Sequence, residues 1–159
     1  MAVPERTVPD RTVLDVSRLL NEAGHTLTNR LAAALAEVDL TPRMQCVLVH
    51  ALEEERTQIQ LAALAGLDKT TMVSTVDELE RRGLAERQAS ATDRRARIIA
   101  VTEKGRLAAE EGQRIVDGVH RDALAGFPAE SRTAFLGLLE SLAQESFAGP
   151  QPVRRARGK

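Results

Sequence analysis

Apolar residues recur along most of this chain at three- and four-residue steps. Val13, Leu14, Val16, Leu19, Leu20, Leu27, Leu31, Leu35 and Val38 mark a first helix starting at Asp10 and running for about 28 residues. That is longer than a small globular domain needs, and packing against a second subunit is its natural use. Thr41-Pro42 restarts a helix, with Thr41 as N-cap and Pro42 in the first turn, where a missing N–H costs nothing. Met44, Val47, Leu48, Ala51 and Leu52 form its apolar face, and the acidic run at 53–56 ends it. Thr57 with Gln60 three residues on predicts a capping box and a short helix from Gln58 to about Ala65, broken by Gly66. Asp68 caps the next helix, Lys69 to Arg82, which stops at Gly83 and buries Met72, Val76 and Leu79.

The helical period then gives way to two short strands, 84–87 and 97–101, the second β-branched and apolar. A polar loop between them carries Asp93, Arg94 and Arg95. Thr102 caps a helix to about Leu124 with Leu107, Ala108, Ile115, Val119 and Leu124 as apolar positions; Gly112 and Gly118 weaken it by roughly 1 kcal/mol each relative to alanine. Ala125 to Pro128 turns the chain into a last helix, 129–147, with Phe135, Leu138, Leu139 and Leu142 on one stripe. The fold class is therefore mainly α with a small β-hairpin: two helices, strand, arginine-bearing loop, strand. That order describes a winged helix-turn-helix module held between long helical flanks.

Four regions follow: a loose arm at 1–9, a helical dimerisation region at 10–40 and 103–147, a winged helix-turn-helix at 41–102, and a basic, disordered tail at 148–159. Hydrophobic residues make up 43% but aromatics only 2%, so the core must be aliphatic. A net charge of −1 argues against a protein that coats nucleic acid generally, though not against a local basic site. One cysteine excludes an intrachain disulfide and suits a reducing cytoplasm. No signal peptide and no apolar run long enough to span a membrane are found, so the expected location is cytoplasmic.

A helix-turn-helix sets one helix in the DNA major groove. Here that helix starts at Lys69 and exposes Thr70, Ser74 and Asp77, with Thr71 and Val73 flanking; small side chains suit close approach to a groove, although a polar helix face is ordinarily just solvated. The DNA-contacting set is Gln58, Lys69, Thr70, Thr71, Val73 and Ser74, with Arg94, Arg95 and Arg97 from the hairpin. For these arginines the plain alternative is a solvated loop with a local Asp93 ion pair. Arg81 and Arg82 fit pairing with Glu78 and the helix dipole better than DNA contact.

The order L-A-A-L-A-G-L-D-K-T-T, V-D-E-L-E-R-R-G-L-A-E-R, D-R-R and V-T-E-K-G resembles the MarR family of bacterial transcription regulators. It is similar to that family's helix-turn-helix, "LExxGL" junction, "DxR" wing and "LTxxG" helix start. Each piece alone is weak; together, in register over Thr57–Gly105, they are specific. The resemblance covers about residues 10–147 and implies an obligate homodimer whose first and last helices interlock, presenting two winged modules to a palindromic double-stranded operator. It implies that the wing arginine Arg95, with Asp93 as wing support, enters the minor groove. It also implies repression relieved by a small phenol or aromatic acid bound between the DNA-binding and dimer regions; other members respond to cysteine oxidation and a few to metal.

Departures stand beside it. Ser74 occupies a position where members often carry a long basic side chain, so hydroxyl, methyl or shape readout must do more. Val101 replaces the usual leucine, and tyrosine and tryptophan are absent, so an aromatic ligand would have to stack on other groups. Cys46 is a candidate thiol switch, set against its reading as a small buried hydrophobe; His50 is a candidate pocket residue. His25, His50 and His120 lack ligand spacing, so no metal is expected. Neither cofactor nor catalysis is indicated: there is no nucleophile elbow and no phosphate-binding glycine loop. The expected function is a homodimeric DNA-binding repressor. Its alternatives are a regulator responding to oxidation of Cys46 and a winged protein-interaction module that does not bind DNA.

Overall fold

The computed structural model describes residues 12–91 and 96–147. The expected arm at 1–9, the tail at 148–159 and the wing residues Asp93, Arg94 and Arg95 lie outside the described residues. The elements are α1 (Thr12–Ala36), α2 (Pro42–Glu53), α3 (Gln58–Leu64), α4 (Lys69–Arg81), β1 (Ala85–Ala89), β2 (Arg97–Val101), α5 (Glu103–Leu124) and α6 (Ala129–Phe147). The fold is mainly helical with one antiparallel hairpin, as the winged helix-turn-helix pattern requires. Two compact units divide at His120–Arg121. No helix among the described residues is long and apolar enough to cross a membrane.

The first unit has an aliphatic core. Leu35 and Leu40 meet Met44, Val47 and Leu48 of α2, Leu61 of α3, Met72, Val76 and Leu79 of α4, Ile99 of β2 and Ala109 of α5. Helix ends follow the capping signals. Thr41 accepts from the Met44 amide, Thr57 and Gln60 form the reciprocal capping box, and Asp68 accepts from the Thr71 amide. α3 and α4 end alike, with glycine in the left-handed region: Gly66 at φ 62 and Gly83 at φ 68. The Leu67 amide donates to the Ala62 carbonyl and the Leu84 amide to the Leu79 carbonyl, both at 2.9 Å, closing each helix while turning a leucine inward.

Three expectations change. α1 stops at Ala36 because residues 37–40 form a hydrogen-bonded turn with Asp39 at φ 57, which delivers Leu40 to the core. On its N-terminal half Val16, Leu19 and Leu20 are exposed. β1 starts at Ala85 rather than Leu84 and ends at Ala89, because the Leu84 backbone is committed to closing α4 and to accepting from the Thr102 amide. On α5 the buried residues are Gly105, Ala109 and Gly112, while Leu107 is exposed; this helix approaches its neighbours through its small residues.

The second unit, taken by itself, comprises the end of α5, a turn and α6. The Phe127 amide donates to the Leu124 carbonyl and the Arg132 amide to Pro128, starting α6. Phe135, Leu138 and Leu142 of the expected stripe are all exposed.

Candidate functional site

The motif at 79–84 and 101–105 forms one joint. The Thr102 hydroxyl donates to the Gly83 carbonyl at 2.7 Å and accepts from the Gly105 amide at 3.0 Å, while Lys104 Nζ donates to the Arg82 carbonyl at 2.8 Å. Gly105 lies so close to Leu84 that a Cβ would sit 2.8 Å from its carbonyl carbon, and nearer still to the oxygen. Only glycine allows α5 to start there.

α3 and α4 are pinned to the hairpin by Arg87, a residue with no assigned role in the sequence reading. From β1 its guanidinium donates to Asp77 at 2.7 Å, to Glu80 and to Gln58 at 3.3 Å. Its amide also donates to Glu80 at 2.8 Å. One side chain thus joins β1, the C-terminal half of α4 and the start of α3. The chain before α3 adds a further edge: Thr57 bridges Ile98, and the Ile99 amide donates to the Arg56 carbonyl at 3.1 Å. Arg56 itself is nearly buried, donating to the His50 carbonyl at 2.5 Å and to Glu53 at 2.7 Å. Glu53 is held below the usual carboxylate range, first by Arg56 and then by His50.

Lys69, Thr70, Val73, Ser74 and Asp77 are exposed on α4, and Thr71 is half-buried. Most of the polar groups on this face are already engaged. Thr71 donates to Asp68 at 2.6 Å, Ser74 turns back to the Thr71 carbonyl at 2.9 Å, and Asp77 holds Arg87. Asp68 is kept below the usual carboxylate range by the Thr71 hydroxyl and amide. Among the described residues, the Lys69 and Thr70 side chains have no partner. Gln58 lies at the exposed start of α3 with its carbonyl oxygen toward Arg87, and Arg97 is exposed at the start of β2. The Ser90 amide extends the hairpin by donating to the Ala96 carbonyl at 3.0 Å. At the far end of α4, Arg81 and Arg82 both grip Glu78, holding its pKa at about 2.

A separate pocket of about 190 Å³ opens between α1, α2 and α5. Leu31, Leu35, Pro42, Val49 and Val116 make it apolar; Gln45, Cys46, His50 and Gln113 complete the wall. It contains both sequence candidates, Cys46 and His50, and among the described residues no lysine or arginine. Gln45 is 4% exposed; its amide donates to the Ala109 carbonyl at 2.9 Å, and its Oε1 has no donor. Burial pushes the Cys46 thiol up, with Glu53 adding to the effect, which is opposite to what a reactive thiol requires. His50 faces Glu53 at 3.2 Å. Among the described residues no cluster could hold a metal ion.

The MarR family model matches residues 38–96, from the α1–α2 turn to the edge of β2. A transcriptional regulator of that family from Rhodococcus sp. RHA1 is 34% identical, with 81% of this chain and 92% of that chain covered at a TM-score of 0.74. CouR from Rhodococcus jostii RHA1, solved with p-coumaroyl-CoA, is 35% identical over the same shares at the same TM-score. The transcriptional repressor CouR on a 23-mer DNA duplex matches at 28% identity and TM-score 0.74, covering 87% of this chain and 99% of that one. With the helix pair, the glycine-dependent joint and the hairpin all in register, this chain belongs to the MarR family of winged helix-turn-helix transcription regulators.

Proposed function

We propose that this chain is a homodimeric, sequence-specific repressor, not an enzyme, that occupies a palindromic operator and is released by a small phenolic ligand. The observation that carries the reading is the exposed first half of α4, where Lys69 and Thr70 are unengaged on a frame braced by Arg87. α4 lies in the major groove, with Lys69, Thr70, Thr71, Val73 and Ser74 toward the bases, and Gln58 and Arg97 toward the backbone. The wing arginines Arg94 and Arg95 are the groups this reading assigns to the minor groove, with Asp93 as their support. CouR, solved on a DNA duplex and with p-coumaroyl-CoA, supports both a DNA partner and an effector.

Dimerisation falls to the helical regions 10–40 and 103–147, and DNA binding to 41–102. Apolar side chains left exposed on α1, α5 and α6 support this, since long helices ordinarily have such faces covered. The α1–α2–α5 pocket takes the effector. Its volume suits a single ring with a short arm, because a cavity of about 150 Å³ already holds benzene. With no lysine or arginine among the described residues of its wall it favours a phenol over a free carboxylate. A ligand that binds the non-DNA spacing of the two α4 helices better than the DNA-bound spacing shifts the dimer off its operator.

Two variants test this. Arg94→Ala with Arg95→Ala removes four charges from a dimer and should lower the slope of log affinity against log salt by about 2 to 4. Val116→Phe should fill the pocket and abolish release by phenols while leaving operator binding intact. An unchanged salt slope would remove the wing from the interface, and an unchanged phenol response would remove the pocket from regulation.

A further inference from the structure

The polar face of α4 is poor in groups free to read bases. Thr71 is tied to Asp68, Ser74 to the Thr71 carbonyl, Thr75 to the same carbonyl at 2.7 Å, and Asp77 to Arg87. Arg81 is tied to Glu78 at the far end. Val73 remains, 37% exposed, one turn after Thr70 on a helix whose other exposed side chains are polar. A β-branched residue is a poor helix former, and at an exposed position it gains little from packing. Val73 carries two methyl groups at an exposed position, and Thr70, exposed one turn earlier, carries a third.

We infer that Val73, with the Thr70 methyl, reads the C5-methyl groups of thymine in the major groove, so that each half-site is specified by apolar contact at a thymine. This rests on the DNA-binding reading above. Among the four bases only thymine places a methyl group on the major-groove edge, and apolar side chains are its complement. Lys69, at the start of α4, supplies the neighbouring charge, and the hydroxyls of Thr71, Ser74 and Thr75 stay with their own carboxylate and backbone partners.

The experiment uses the full-length protein and duplexes enriched from a randomised pool. Each thymine of an enriched half-site is replaced in turn by deoxyuridine, which deletes the methyl and leaves every hydrogen-bonding group in place. A single replacement, in one half-site only, should weaken wild-type binding about three- to fivefold, the effect of withdrawing one buried methyl group, and the symmetric replacement in both half-sites about tenfold or more. Val73→Ala should bind the thymine duplex as weakly as wild type binds the uracil duplex, and should no longer distinguish the two. Val73→Thr, which keeps one methyl, should fall between them. Equal wild-type affinity for thymine and uracil duplexes overturns the inference while leaving DNA binding standing, as does undiminished discrimination by Val73→Ala. Failure to enrich any duplex overturns both.

Discussion

Gly112→Ala should destabilise this protein, although the same change stabilises most interior helical glycines. Alanine normally gains about 0.5–1 kcal/mol over glycine through helix propensity. At Gly112 the added Cβ would sit 2.7 Å from Gln45 Cδ and 3.0 Å from Leu40 Cδ1, with Gln45 Oε1 nearer still. Gln45 is 4% exposed and cannot swing into solvent, so it must give up its bond to the Ala109 carbonyl. Losing that bond costs about 1 kcal/mol, and forcing a methyl into a packed contact costs about 1–3 kcal/mol. The net expectation is a loss of about 1–3 kcal/mol. Gly118, on the same helix, has nothing within 4 Å of its Cβ position, so Gly118→Ala should gain the full propensity term. The two variants should differ in thermal midpoint by about 5–15 °C, followed by circular dichroism at one fixed protein concentration. Equal midpoints, or a rise for Gly112→Ala, would refute the close approach of α2 and α5. Gly105→Ala should be worse than either, because its obstacle is the Leu84 backbone rather than a side chain.

Other consequences are as specific. Arg87→Ala frees Asp77, Glu80 and Gln58 together; it should cost only about 1 kcal/mol in urea unfolding, as partly exposed pairs do, yet weaken operator binding at least tenfold by loosening α4. An affinity loss no larger than the stability loss predicts would remove it as a positioning residue. Glu78, held at about 2 by Arg81 and Arg82, should stay ionised through mild acid. Its folded pKa is depressed, so its contribution to stability is complete above the usual carboxylate value and is lost as pH falls toward 2; a carbon-13 titration midpoint near 4.5 would contradict this. Cys46, its thiol raised by burial, should react with iodoacetamide at pH 7 more slowly than free cysteine, and Cys46→Ser should bind DNA like wild type before and after peroxide. Peroxide release of the wild type alone would restore the oxidation-responsive alternative.

Local signals were legible because their physics is local. Thr41, Thr57, Asp68, Gly66 and Gly83 fix helix ends through contacts within a few residues, and those ends fall where the residues place them. Apolar periodicity identifies faces but not what covers them, so the stripes on α1 and α6 are visible in the sequence while the exposure of Val16, Leu19, Leu138 and Leu142 is not. The inner face of α5 escaped notice because Gly105, Ala109 and Gly112 carry almost no hydrophobic signal; they matter through closeness to groups elsewhere. Gln45 and Ala109 are 64 residues apart, and no spacing rule connects them. Arg87 looked like one more charged residue of a short strand, since its role exists only once α3, α4 and β1 are assembled. The same distance effect hid the pairing of Arg56 and Thr57 with β2.

In the proposed function two copies of this chain read one palindromic duplex through paired α4 helices. Its most direct test is enrichment of the full-length protein against randomised duplexes, followed by the mass of the complex on the enriched sequence. Inverted half-sites about 34–36 Å apart along the duplex and two chains bound per duplex are expected. Enrichment of no sequence, or a single chain bound to an asymmetric site, would contradict it.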